Sequence, residues 1–363
     1  MTADVVVISG DGIGPEVTAA ALDVLREVSR GGGVDLRVHE HLMGGRAIDE
    51  TGTPLPDETR DACLAASAVL FGALGGPRWD HLRGEMRCEQ GLLRLRKAMD
   101  VFANVRPVRV HPRLADRTPL RPEVVAGTDL IIVRELTGGA YFGQPRERGG
   151  SGDLETARDS TVYTAAEVER VARVAFELAR ARRRKLTSVD KANVLVTSQL
   201  WRDTVTRVGA EYPDVELDHQ LVDSFAMHLI QRPAALDVVV TENLFGDILS
   251  DEAGVLAGSL GMLPSASLRD SGAGLYEPIH GSAPHLAGRG VANPYGAILS
   301  MALLLRYSLR RDDLARAVEA AVDECVDDDV LSRDLGGEHG TREIGEAVLT
   351  RLSQHLVPAQ ASA

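Results

Sequence analysis

Two aspartates, Asp247 and Asp251, stand four residues apart in Gly246-Asp247-Ile248-Leu249-Ser250-Asp251. At a helix start this spacing puts both carboxylates on one face, where they repel unless a cation or solvent lies between them. Oxygen-only ligands of this kind suit a hard ion such as Mg²⁺ or Mn²⁺. A solvated helix face, with acids near the positive end of the dipole, has the same pattern, so the pair alone leaves both readings open. Lys191, in Val189-Asp190-Lys191-Ala192-Asn193, can serve as a general base where its surroundings lower its pKa; alone it also fits an ordinary surface lysine. Arg96, Arg106 and Arg134 each sit among apolar residues. Three guanidinium forks together would clamp a dicarboxylate through paired charge-assisted bonds, whereas any one of them also fits a structural ion pair.

Such groups need elements to hold them. Short β-branched runs, at Val5–Ile8, Ala68–Phe71, Leu130–Val133, Leu186–Val189 and Val238–Val240, alternate with longer segments of helical period, the pattern of an α/β protein. The run Val238–Val240 leads through Thr241-Glu242-Asn243 to the aspartates, and Leu186–Val189 leads to Lys191. Both sets therefore fall at strand C-terminal ends, where open α/β sheets bind ligands. The clearest helix opens on a capping box, Thr164 with Glu167, and shows an apolar face of Val168, Val171, Ala172, Ala175 and Leu178. It ends in Arg182-Arg183-Arg184-Lys185, read as cations favoured by the helix dipole rather than an anion patch. Gln144–Ser160, rich in Arg, Gly, Ser and Asp, reads as a surface loop or arm. The tail from Val357 is expected to fray.

The opening Gly10-Asp11-Gly12-Ile13-Gly14-Pro15-Glu16 follows a strand and precedes a helix with Pro15 in its first turn. A Rossmann fingerprint needs its third glycine where Pro15 stands, so the segment is a tight strand-to-helix turn near a ligand at most.

With 363 residues there is room for about two domains of roughly 100–200 residues. At 44% apolar and 26% charged the chain is of globular type. Its net charge of -13 argues against nucleic acid or an anionic membrane as partner, and means that an anionic substrate needs a local basic pocket. Cys63, Cys88 and Cys325 are widely spaced with no C-x-x-C pair, which fits reduced thiols in a cytoplasm. The N-terminus shows no basic region or cleavage site, and no run reaches about 18 apolar residues, so neither export nor a membrane span is expected.

Seven motifs, in order, carry a resemblance: Gly10–Glu16, Gly91-Leu-Leu-Arg-Leu-Arg96, Phe102-Ala-Asn-Val-Arg106, Val133-Arg-Glu-Leu-Thr-Gly-Gly139, Val189–Val194, Asn243–Asp251 and Glu277-Pro-Ile-His-Gly-Ser-Ala-Pro284. From about Val5 to about Leu352 the chain resembles the isocitrate/isopropylmalate dehydrogenase family of β-decarboxylating dehydrogenases. The resemblance implies two α/β domains around a central cleft, not a Rossmann fold: residues 1–101 with 258–363, and 102–257. It implies a homodimer with shared active sites, NAD as cofactor and Mg²⁺ or Mn²⁺ held by Asp223, Asp247 and Asp251. Tyr141 and Lys191 match the family's catalytic pair, with Lys191 and Asp223 borrowed from the partner subunit. Arg96, Arg106, Arg134, Leu92, Leu93, Val194 and Asp223 match the substrate site. Gly75, Gly76, Glu89, Glu277, His280, Gly281, Ser282, His285, Leu286 and Asn293 match the cofactor site.

Within the family, Leu92 and Leu93 suit the isopropyl group of 3-isopropylmalate at about 1–3 kcal/mol of discrimination per methylene. A third carboxylate near Glu89 meets a repulsion of about 4 kcal/mol at about 4 Å and an effective dielectric of about 20, which disfavours isocitrate. Other 3-alkylmalates or tartrate stay open as substrates. Where NAD-using relatives carry an aspartate after Ser-Ala-Pro, this chain has His285-Leu286; NAD with weakened ribose binding is expected, and NADP stays open. Two rivals from other classes are a non-catalytic regulatory subunit, which should have lost these groups, and a metal-dependent hydrolase, which leaves the arginines and Lys191 unexplained.

Overall fold

A computed structural model describes residues 2–356, so the tail from Val357 lies outside the described residues. The chain packs as two compact units: Met1–Val101 with His111–Pro119 and Ala257–Ala363, and Phe102–Val110 with Leu120–Leu256. Residues 111–119 and 257, counted with the second domain on the sequence, pack with the first unit.

In the first unit, Ala3–Gly10 pairs in parallel with Leu36–Glu40 on one side and Ala68–Ala73 on the other. Gly274–Pro278 continues in parallel beside Ala68–Ala73, and Pro264–Leu268 closes the set antiparallel to it. Ala68–Ala73 is buried at every position, as a strand covered on both faces must be. The helix Tyr295–Tyr307, with Ala297, Ile298, Met301, Leu303, Leu304 and Leu305 all buried, is apolar nearly all round and lies inside the helical layer. The amphipathic helices Gly14–Gly32 and Asp312–Asp327 pack against it, and Thr341–His355 packs on those two in turn. Cys63, Cys88 and Cys325 are buried and free; burial pushes the Cys63 thiol up to about 12 and Cys88 to about 11, so neither is a nucleophile near neutral pH.

In the second unit the strand order is Ala103–Arg109, Asp129–Glu135, Val238–Thr241, Lys185–Asp190, Glu216–Leu221. All neighbours are parallel except the first pair. Ala165–Arg180 packs over this sheet, opened by the expected box: Thr164 Oγ1 accepts from the Glu167 N–H at 3.2 Å and Glu167 Oε2 accepts from the Thr164 N–H at 2.8 Å. The basic run after it does more than favour a dipole. Arg182 binds the buried Asp237 at 2.7 Å and the Arg183 N–H donates to the same carboxylate at 2.9 Å, fixing the turn into the next strand. The segment 144–160 forms an exposed hairpin, Glu147–Gly149 against Thr156–Arg158. Among the described residues no helix is long and apolar enough to cross a membrane.

Candidate active site

Three parallel-strand ends in the second unit carry the chemistry. Asp129–Glu135 delivers Arg134, Val238–Thr241 runs through Glu242 into the helix Asn243–Gly254, and Lys185–Asp190 precedes Lys191. Glu242 caps the helix, its two oxygens accepting from the Leu244 and Phe245 N–H groups at 3.2 and 2.8 Å. Asn243, Asp247, Ser250 and Asp251 then follow at i, i+4, i+7 and i+8 and share one face.

Arg134, 2% exposed, lies across that face. Its Nε and Nη2 donate to Asn243 Oδ1 at 3.0 and 2.8 Å, and its Nη1 pairs with Asp247 Oδ1. A Cβ on Gly246 would sit 2.6 Å from Arg134 Cγ, so glycine is what lets the arginine lie so close to the helix. The Tyr141 hydroxyl donates to the other Asp247 oxygen at 2.7 Å, and its ring stands 5.5 Å from the Arg134 guanidinium. Burial, and then the bond to Asp247, push the Tyr141 phenol above its usual range. Arg106 is steered by Asn104 Oδ1 at 2.6 Å and by Ser250 Oγ, which puts its guanidinium 3.7 Å from Asp247 and 3.6 Å from Asp251. Partial burial raises the Asp251 carboxyl; Arg106 opposes this and the neighbouring Asp247 charge adds to it.

Lys191 and Asp223 face one another, Nζ to Oδ1 at 2.6 Å, and this bond holds the exposed Asp223 below the usual carboxylate range. Among the described residues no three His, Cys, Asp or Glu side chains converge as metal ligands, so within one chain Asp223 does not join Asp247 and Asp251. Val194 follows Lys191 in the same turn, its N–H donating to the Lys191 carbonyl at 3.0 Å, and its side chain is exposed.

The first unit holds the remaining expected residues. On the helix Cys88–Met99, Glu89, Leu92, Leu93 and Arg96 fall at i, i+3, i+4 and i+7 and form one face. Arg96 donates to Glu277 at 2.7 Å with both side chains buried, while its Nε is buried with no hydrogen-bond partner. An arginine with an unused donor beside two part-exposed leucines suits an anion that carries an alkyl group. Gly75, with φ +82°, and Gly76 follow Ala68–Ala73, and a Cβ on Gly76 would lie 3.5 Å from Pro284. His280 shares Nδ1 with the Gly281 carbonyl at 2.9 Å, leaves Nε2 buried and unpartnered, and is pushed toward the neutral form by burial. That orphaned nitrogen, the buried Ser282 and the buried Asn293 fit a polar ligand lying along this segment. His285 is exposed and Leu286 part-exposed in the turn that follows.

Residues 4–348 match the isocitrate/isopropylmalate dehydrogenase family. The chain belongs to that family. A 3-isopropylmalate dehydrogenase of Anaeromyxobacter dehalogenans is 57% identical, covering 97% of this chain and all of that protein. One from Halalkalibacterium halodurans is 53% identical over 96% of this chain and 97% of its own length. Among solved structures, isocitrate dehydrogenase from Methylococcus capsulatus is similar with a TM-score of 0.87 at 36% identity, over 97% of this chain and all of that one. The α/β architecture is thus that of the family.

Sequence reasoning missed Asn104, Ser250, Asn243, Glu242 and Tyr163. Asn243 and Ser250 lie inside a motif, and their helical spacing from Asp247 is the signal that could have found them. Tyr163 carries no local signal: its hydroxyl donates to Glu242 at 3.2 Å and accepts from the Asn243 N–H at 2.9 Å, contacts 79 and 80 residues away.

Proposed function

We propose that the chain oxidises 3-isopropylmalate at C2 with NAD and releases CO₂ to give 4-methyl-2-oxopentanoate, a step of leucine synthesis, with Mg²⁺ or Mn²⁺ held by Asp247 and Asp251. The observation that carries this reading is the cluster of the buried Arg106 and Arg134 with Asp247, Asp251 and Tyr141. Two guanidinium groups face two carboxylates, so the cluster is neutral by itself. A malate-type dianion arriving with a divalent cation adds equal and opposite charge. Arg106 and Arg134 can then turn from the aspartates to the substrate carboxylates without leaving net charge buried.

A metal held by Asp247 and Asp251 would supply Lewis acidity at the substrate oxygens, and bound NAD would supply the hydride acceptor for C2. Lys191 Nζ takes the C2 hydroxyl proton. The Tyr141 phenol, kept protonated by burial and by Asp247, gives its proton to C3 once CO₂ has left. Arg96 binds a substrate carboxylate, with Leu92, Leu93 and Val194 toward the isopropyl group. Gly75, Gly76, Glu89, Glu277, His280, Gly281, Ser282, His285, Leu286 and Asn293 hold NAD in preference to NADP.

A second copy of the chain completes the site, supplying Lys191 and Asp223 to the aspartate pair. Two features support this: among the described residues of one chain no third acidic side chain joins Asp247 and Asp251, and Val194, Val196 and Ile248 leave more than half their surface exposed in the unit that carries Lys191. The test is NADH formation with Mn²⁺ on 3-isopropylmalate, 3-methylmalate, 3-benzylmalate, tartrate and isocitrate. The 3-isopropylmalate rate should lead; a lead for isocitrate or tartrate, or no turnover of any alkylmalate, contradicts the reading.

A further inference from the structure

The Gly10–Glu16 turn fails as a dinucleotide fingerprint, yet it is the point on which two loops are fixed. Asp11 is 2% exposed. Its Oδ2 accepts from the Gly45 and Gly75 N–H groups, both at 2.8 Å, and its Oδ1 accepts from the Arg46 N–H at 2.9 Å. Its own N–H donates to the Ala73 carbonyl at 2.8 Å, which ties the turn to the strand end just before Gly75. On the other side of the turn, the Ile13 N–H donates to the Ser282 carbonyl at 2.8 Å. A Cβ on Gly12 would sit 2.0 Å from that same carbonyl oxygen, so the contact needs glycine.

One turn of the chain thus anchors Gly75 through a side chain and Ser282 through the backbone. These are the two segments assigned above to NAD. We infer that Asp11 is a positioning residue for the nucleotide: it holds the Gly75-Gly76 loop in the geometry that receives it.

A carboxylate is suited to this because two oxygens offer up to four acceptor sites and three backbone donors converge on them. An asparagine has one oxygen. Whichever way its amide turns, an N–H₂ meets an N–H, and either Arg46 or the Gly45–Gly75 pair loses its acceptor. With Gly75 released, the loop must be ordered again each time the nucleotide binds, and affinity falls by that cost.

The inference rests on the cofactor reading, and the test separates the two. NADH binding to the full-length protein is followed by fluorescence without substrate, alongside calorimetric binding of 3-isopropylmalate with Mn²⁺ and the melting temperature. Asp11→Asn should weaken NADH binding at least tenfold, raise KM for NAD more than it lowers kcat, and leave 3-isopropylmalate binding within about twofold. Gly44→Ala is the second variant, because its Cβ would sit 2.5 Å from Asp11 Oδ2 and push the carboxylate aside without removing it. It should weaken NADH binding in the same direction, and it decides the matter if Asp11→Asn does not fold. Folded variants with unchanged NADH affinity, or with both ligands weakened equally, overturn the positioning role. Failure of the wild type to bind NADH overturns the cofactor reading instead.

Discussion

Replacing Asn243 by alanine tests whether one buried amide holds the site together. Asn243 Oδ1 is the shared acceptor for Arg134 Nε and Nη2, and its Nδ2 donates to the Gly138 carbonyl at 3.0 Å. Alanine leaves the nearly inaccessible guanidinium without that acceptor, at about 1.5–3 kcal/mol for a charged donor, and leaves the Gly138 carbonyl bare at about 1–3 kcal/mol. The sum, about 2.5–6 kcal/mol, is large against a typical total of about 5–15 kcal/mol. With denaturant slopes of about 1–3 kcal/mol per M, the urea midpoint should fall by at least about 0.8 M. The chain has two tryptophans, and Trp201 is the one in the second unit, so Trp79→Phe gives a background whose emission reports that unit alone. A double-mutant cycle with Arg134→Met should show coupling of at least about 1.5 kcal/mol, because removing the guanidinium leaves only the Gly138 carbonyl to suffer. Additive costs, or a midpoint unmoved by Asn243→Ala, refute the reasoning.

Tyr141→Phe should keep hydride transfer within about tenfold but slow formation of the decarboxylated product by about 10²-fold or more; single-turnover NADH and product traces separate the steps, and unchanged product formation contradicts the role. kcat/KM should be higher for NAD than for NADP, and His285→Asp should widen the ratio; an NADP preference in the wild type contradicts the assignment. Asp312 is held below the usual carboxylate range by its bond to Arg306 at 2.6 Å. A depressed folded-state pKa adds stability above the unfolded value of about 3.9 and loses it as pH falls through the folded value. Asp312→Asn should therefore be less stable than wild type at pH 7, with the gap closing in acid; a gap that persists below both values contradicts the pairing.

Much of this was legible in the sequence because the signals are local. A four-residue spacing put Asp247 and Asp251 on one face, and β-branched runs marked the strands whose ends carry Arg134 and Lys191. The strand Ala103–Arg109 was recognisable only as a motif, since Pro107 argues against a strand and its antiparallel pairing with Asp129–Glu135 is not written in either segment. Arg96 was picked out as a cation among apolar residues, but its partner Glu277 lies 181 residues away. Arg182 and Arg183 read as helix-end charges because Asp237, which they bind, is contributed by a distant turn. Asp11 stood in plain view within its motif. Its three donors come from two other segments, so its task could be seen only in the fold.

The central claim is that the arginine–aspartate–tyrosine cluster is a metal-dependent oxidative decarboxylation site for an alkylmalate. Its most direct test is the simultaneous measurement of NADH and CO₂ from 3-isopropylmalate, with and without Mn²⁺, for the wild type and for Asp251→Asn. Equimolar NADH and CO₂ that require Mn²⁺, and a loss of at least about 10³-fold in the variant, are expected. Full activity without a divalent ion, NADH without CO₂, or an unimpaired Asp251→Asn enzyme would contradict it.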